Sequence, residues 1–303
     1  MTYSLARSSA VGTGQYRTHG VGVVAGGGRV DDIDTAQAGG NFTLTPPILG
    51  GPHAAPQGVM LHGSKVDPRI VALFQAQGLR TVEVDTSWLS VGHLDAVVNF
   101  APSTTAPRGW VAVVPDPRAG EDMLRDLSAR GLGSLAAPSG EQAVVQGKPL
   151  IANPTVDGLL RDPIITGHRD LVHSRADAAV EVLKTRLGLG DADIVRLPVL
   201  KRVEDFGNGR ILAHSALPNV VNWQSVGGGV VLAPAQHGPI VNGVDVLQQR
   251  VEALMAPHGV RVKWVDALTH TLSGGELHFG SNVYRALDAR GSRALDWWKV
   301  ARR

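Results

Sequence analysis

A chain of 303 residues with 43% hydrophobic content can bury a large core, enough for one large domain or two ordinary ones. Charged residues make up 18% of it, which excludes a disordered or coiled-coil chain. The net charge is only +2, and the 29 basic residues are spread along the chain, so no concentrated basic face is offered to nucleic acid. There is no cysteine, which removes disulfides, thiolate metal ligands and thiol nucleophiles together. Met1 to Arg7 holds no apolar run of signal-peptide length, and no stretch of about 18 apolar residues could span a bilayer. A cytoplasmic protein without membrane contact is expected.

Residues 20–63 are dense in Gly and Pro, as in Ala25-Gly26-Gly27-Gly28 and Leu49-Gly50-Gly51-Pro52, and predict turns between short strands. From Pro68 the pattern becomes regular. Ile70, Val71, Leu73 and Phe74 share a helical face, and Leu79 to Val84 alternates as a strand. Trp110 to Val114 reads as a strand, followed by a helix over Ala119 to Arg130 with Met123, Leu124 and Leu127 on one side. The clearest helix is Ala176 to Leu187, with Ala179, Val180, Leu183 and Leu187 spaced by three or four and Gly188 as its stop. Ile194 to Leu200 reads as a strand, Gly227-Gly228-Gly229 as a hairpin turn, and Val230 to Ala233 as a strand. Val244 to Met255 reads as a helix and Val260 to Val265 as a strand. Alternating helices and strands without an internal linker predict a single α/β domain over 1–303. No glycine fingerprint of a dinucleotide or phosphate site follows any strand.

The segment Trp88-Leu89-Ser90-Val91-Gly92-His93-Leu94-Asp95 carries the most informative local chemistry. If extended, it places His93 and Asp95 on one face. Two readings are open: a hydrogen-bonded pair at a strand end, or an imidazole for proton transfer beside a carboxylate that holds a cation such as guanidinium.

A second segment, Gly274-Gly275-Glu276-Leu277-His278-Phe279-Gly280-Ser281-Asn282, bears on that choice. Taken with Ser90-Val91-Gly92-His93-Leu94-Asp95, it resembles the paired active-site motifs of the protein-arginine deiminase family. The resemblance runs in order through Asp162-Pro163-Ile164, Leu187-Gly188-Leu189, Leu217-Pro218-Asn219-Val220-Val221-Asn222, Gly238-Pro239-Ile240-Val241-Asn242-Gly243 and Trp297-Trp298. It implies the pentein fold, a pseudo-fivefold arrangement of ββαβ modules. It also implies a reaction in which a cysteine thiolate attacks the guanidinium carbon of a peptidyl arginine, ammonia leaves, and water releases citrulline. An arginine-containing protein or peptide is the implied partner.

By the same resemblance His93 takes the place of the acid–base histidine and Asp95 that of a guanidinium-binding aspartate. Phe279 stands where the family has its nucleophile. A phenyl ring has no lone pair with which to attack carbon, and no other cysteine can substitute. The family's other guanidinium-binding aspartate lies in a Trp-x-x-Asp segment that is not visible here, so a domain shortened and incomplete at its N-terminus is expected. Arg7 lies roughly where the family binds the substrate backbone; an exposed terminal arginine is the equal alternative. Calcium is implied by the family, but Gly40-Asn41-Phe42-Thr43 offers the hydroxyl of Thr43 where a glutamate is a ligand, and no cofactor or metal is predicted. Asp31, Asp32 and Asp34 read as a solvated turn, and Trp297 and Trp298 as buried anchors. His278 reads as a structural hydrogen-bonder facing away from Phe279 if its segment is a strand, and Asn219 and Asn222 as satisfying backbone groups of a turn.

The reading that emerges is a hydrolase-family domain that has lost its activity, a pseudoenzyme. Its alternatives are a non-catalytic binding protein for arginine-bearing peptides, an active enzyme with its sequence altered or incomplete, and a product without a stable fold.

Overall fold

The computed structural model describes residues 35–138, 154–205, 209–268, 271 and 275–281, with two short strands at 144–145 and 148–149. Arg7, Asp31, Asp32, Asp34, Trp297 and Trp298 lie outside the described residues. Residues from Thr35 to Ser281 form one compact unit.

Three copies of one motif build that unit. In the first, β1 (Phe42–Leu44) runs antiparallel to β2 (Val59–His62), α1 (Pro68–Ala76) crosses over, and β3 (Arg80–Glu83) returns parallel to β2. In the second, β4 (Asn99–Pro102) pairs antiparallel with β5 (Trp110–Asp116). The crossover then passes through α2 (Pro117–Ala129), the short helices α3 (Val156–Arg161) and α4 (Pro163–Thr166), and α5 (Arg169–Leu187) to β6 (Ile194–Pro198), parallel to β5. A hairpin of β7 (Lys201–Asp205) and β8 (Ile211–Ser215) follows. The third copy has β9 (Gln224–Gly227) antiparallel to β10 (Val230–Pro234), then α6 (Val246–Met255) and β11 (Arg261–Val265), parallel to β10. The one-turn helix α7 (Leu277–Gly280) comes last. Each copy is a ββαβ module, so the mixed α/β architecture is of the pentein class, as the resemblance implied.

Local chemistry explains where the helices start. Asp67, Asp116, Asp162 and Asp245 each precede a helix and accept a backbone N–H from its first turn, and the first three are followed by Pro at the first helical position. β5 explains how the modules share a core. Trp110, Ala112 and Val114 belong to one apolar cluster and Val111 and Val113 to another, the period of two expected of a strand buried on both faces. The first cluster also takes Val180, Leu183 and Leu187 of α5, and the second takes Val251 and Met255 of α6. Burial of side chains of this size contributes about 1.5–3 kcal/mol each.

The differences from expectation are at element ends. α5 begins at Arg169 rather than Ala176, because Val172, His173 and Ala176 continue the buried face within a polar stretch that carries little periodic signal. Val244 and Asp245 pair with Ile240 and Val241 before α6 begins at Val246. The glycine run does form the β9–β10 hairpin turn; Gly227, Gly228 and Gly229 all have positive φ, between 59° and 93°.

Candidate functional site

His93 and Asp95 are brought together by a turn and not by a strand. Gly92 adopts φ 73°, a left-handed conformation open to glycine, just before His93. His93 is extended, and Leu94–Ala96 then forms a 3-10 turn. Extended pairing is prevented because the Leu94 N–H is taken by the side chain of Asn41, at 3.1 Å. Asn41 is fully buried, and its amide donates to the carbonyls of Ala36 (2.9 Å) and Ser64 (3.3 Å). Upstream, the loop is held by Thr86, whose hydroxyl donates to the Gly92 carbonyl at 2.7 Å. Ser90 and Trp88 exchange backbone hydrogen bonds with Ala213 of β8.

His93 and Asp95 are 4% and 3% exposed, and both face Gly40. A methyl group on Gly40 would lie 2.7 Å from His93 Nδ1 and 2.7 Å from Asp95 Oδ2, so the two groups converge on a point that only glycine leaves open. Replacing Asn41 by alanine is expected to destabilise the fold by about 2–3 kcal/mol, since it strands the buried Leu94 N–H and two carbonyls. Urea unfolding of Asn41→Ala against wild type measures that loss.

The C-terminal motif arrives from the far end of the chain. His278 lies on α7, a helical turn and not the strand considered above, and its Nδ1 donates to Asp95 Oδ2 at 2.9 Å. Burial pulls the imidazole down, but the hydrogen bond and charge of Asp95 outweigh it and raise His278 above its ordinary range. The structural hydrogen bond expected of His278 therefore exists, and its partner is a site carboxylate. Phe279 is the next residue of that same turn.

Segment 217–223 supports both motifs from below. The Asn219 side chain donates to the Ala96 carbonyl at 2.8 Å and accepts from the Val221 N–H, the turn role expected of it. The Asn222 side chain accepts from the His278 N–H at 2.8 Å. The Asn219 N–H donates to both oxygens of Glu276, at 3.0 and 2.9 Å. Burial of that carboxyl pushes Glu276 up to about 8, against the opposing influence of Lys201, Asn219 and Ser215. Lys201, 5% exposed, is lowered by burial against the opposing pull of Glu276 and Asp95. Sequence reasoning did not single out Glu276 or Lys201. Glu276 sits within the recognised motif, while Lys201 opens an ordinary strand and carries no local signal.

Thr43, where the resemblance implies a carboxylate metal ligand, lies half-buried on β1 opposite Leu61. Its hydroxyl brings no charge to a hard divalent cation, and among the described residues no three His, Asp or Glu side chains gather to hold one. These residues do not fit a calcium ion. Addition of calcium is expected to leave the melting temperature unchanged, whereas specific binding to the folded form would raise it.

This geometry can be set beside known proteins. A family model described as protein-arginine deiminase matches residues 6–299. Protein-arginine deiminase type-4 of Homo sapiens is 26% identical over 290 residues, covering 92% of this chain and 41% of that protein. Protein-arginine deiminase type-1 of Mus musculus is 31% identical over 270 residues, covering 86% and 38%. Among solved structures, an agmatine deiminase of C. jejuni aligns over 83% of this chain and 57% of its own, at a TM-score of 0.39 and 12% identity. The chain spans about two fifths of the length of the curated relatives it matches, 41% and 38% for these two. With a family model matched over residues 6–299, the chain belongs to the protein-arginine deiminase family.

Proposed function

We propose that this domain does not hydrolyse arginine and that its acidic site holds, without turnover, the guanidinium of an arginine-bearing protein or peptide. One observation carries the first half: the nucleophile position is Phe279, and none of the 303 residues is a cysteine. The family reaction needs a covalent bond between a side chain and the guanidinium carbon, and the chain offers no thiol to make it.

The binding half rests on Asp95 and its surroundings. Asp95 is the family's guanidinium-binding carboxylate by position, and it accepts a hydrogen bond from His278 in a buried setting. In such a setting a charge-assisted contact to a cation is stronger than on a wet surface. His93 lies beside it, so the groups that would orient a substrate remain when the group that would attack it does not. The test is the release of citrulline and ammonia from an arginine peptide, set beside calorimetric titration of the same peptide. Heat of binding with no product is the expected outcome, and turnover above a heat-treated control would overturn the reading.

A further inference from the structure

Asp95 is 3% exposed, so a guanidinium can reach its carboxylate only if something that covers it gives way. The turn that carries Asp95 is held by three side chains: Asn41 at the Leu94 N–H, the Thr86 hydroxyl at the Gly92 carbonyl, and Asn219 at the Ala96 carbonyl. The approach past Gly40 is closed as well, since even a methyl group there would lie 2.7 Å from Asp95 Oδ2. Another cover is the imidazole of His278, whose Nδ1 donates to the same Oδ2 at 2.9 Å. It is the cover best placed to move. The His278 side chain keeps 21% of its surface in water, against 4% for that of Asp95. It sits on the one-turn helix α7, where the His278 N–H is tied to the side chain and the carbonyl of Asn222. Because that tie is to the backbone, the ring can turn away about its own side-chain bonds without breaking it.

The contact occupies what a guanidinium needs. A planar guanidinium binds a carboxylate best through two parallel N–H bonds, one to each oxygen. With Oδ2 committed to His278, an arriving arginine finds at most one oxygen, and contact with both requires the imidazole to leave. Burial disfavours a charged imidazole, yet the hydrogen bond and charge of Asp95 outweigh it and favour the protonated ring. The ring therefore brings positive character to the place that a second cation would take.

We propose that His278 is a gate on Asp95: it holds Oδ2 while no ligand is bound, and an arginine-bearing ligand must displace it to engage both carboxylate oxygens, so that the cost of displacement sets the affinity of the site. The proposal rests on the reading above that Asp95 receives a guanidinium. It gives the histidine of the C-terminal motif a role in binding that needs no nucleophile beside it.

The experiment titrates benzoyl-arginine amide, with benzoyl-citrulline amide as its neutral counterpart, into the wild type, His278→Phe, His278→Asn and the double variant His278→Phe/Asp95→Asn at neutral pH. Phenylalanine keeps a flat ring and removes the donor, whereas asparagine removes the ring and keeps an N–H at the place of Nδ1. His278→Phe is expected to bind the arginine probe about tenfold more tightly than wild type, a gain of ~1.4 kcal/mol, and the citrulline probe no better. His278→Asn is expected to stay within roughly threefold of wild type, and Asp95→Asn to abolish the gain of His278→Phe. Equal affinity of folded His278→Phe and wild type for the arginine probe would overturn the proposal. So would equal gains in His278→Phe and His278→Asn, an equal gain for both probes, or a gain that survives Asp95→Asn. If His278→Phe does not fold, His278→Ala takes its place under the same criteria. Failure of the wild type and every variant to bind the arginine probe removes the reading that Asp95 receives a guanidinium and this proposal with it, whereas binding that ignores His278 removes this proposal alone.

Discussion

Phe279→Cys alone is expected to restore no more than a trace of citrulline release, although it returns a thiol to the position from which the family attacks. Covalent catalysis of this kind draws its rate from two sources, and a new thiol supplies only one of them. The other is the holding of substrate in attacking geometry, which can contribute about 7–11 kcal/mol. Here the carboxylate that would do the holding, Asp95, is hydrogen-bonded at 2.9 Å to a histidine raised toward its charged form, and Lys201 lies within electrostatic reach of it. No Trp-x-x-Asp segment supplies a second carboxylate among the 303 residues. A thiol is also a poor nucleophile unless ionised, and a position occupied by phenylalanine has had no reason to lower its pKa. The measurement is citrulline and ammonia from an arginine peptide, for wild type and Phe279→Cys, with and without calcium. Efficient turnover by the variant would show that the substrate is held well enough by what the chain already has.

Glu276→Gln is expected to remove a large part of the pH dependence of stability between about pH 4.5 and pH 8. The acid is raised from 4.5 to about 8 in the folded protein, by burial first of all. Within that window the folded state keeps a proton that the unfolded state has released. Stability from this group is therefore fully present at the acid end and is lost as pH rises through the folded value, at about 1.4 kcal/mol per unit of raised pKa. His278, also raised, adds in the same sense above its unfolded range. His214 acts oppositely, because burial, then Arg202 and Lys201, lower it to about 4, so its contribution grows as pH rises. The comparison of variant with wild type isolates Glu276 from both. Glutamine resembles the neutral acid in shape, so the two proteins should melt alike near pH 5 and diverge toward pH 8, with the variant gaining by several kcal/mol. Parallel curves across that range would show that Glu276 is ionised throughout.

Much of this protein is legible one segment at a time. The helix starts are written as Asp-Pro pairs at Asp67, Asp116 and Asp162, because a carboxylate that accepts a first-turn N–H and a ring that fixes φ act within three residues. The hairpin at Gly227 to Gly229 and the two-faced strand β5 follow from equally local rules. The absence of cysteine and the presence of Phe279 at the end of Gly274-Gly275-Glu276-Leu277-His278 needed no coordinates at all.

The state of the site was decided elsewhere. His278 and Asp95 are 183 residues apart, Asn219 and Glu276 are 57 apart, and Lys201 meets Ser215 only because β7 and β8 fold back on each other. Nothing in a period of two or of 3.6 announces a buried polar contact between distant segments, since the burial that makes the pairing matter is created by the same packing that brings the partners together. The sequence alone determined which chemical groups the domain has to work with, including the nucleophile it lacks. Only the tertiary structure decided that Asp95 is met by His278 and that Lys201 is buried against Ser215, because the cost of a polar group depends on the water taken from it and the partner put in its place.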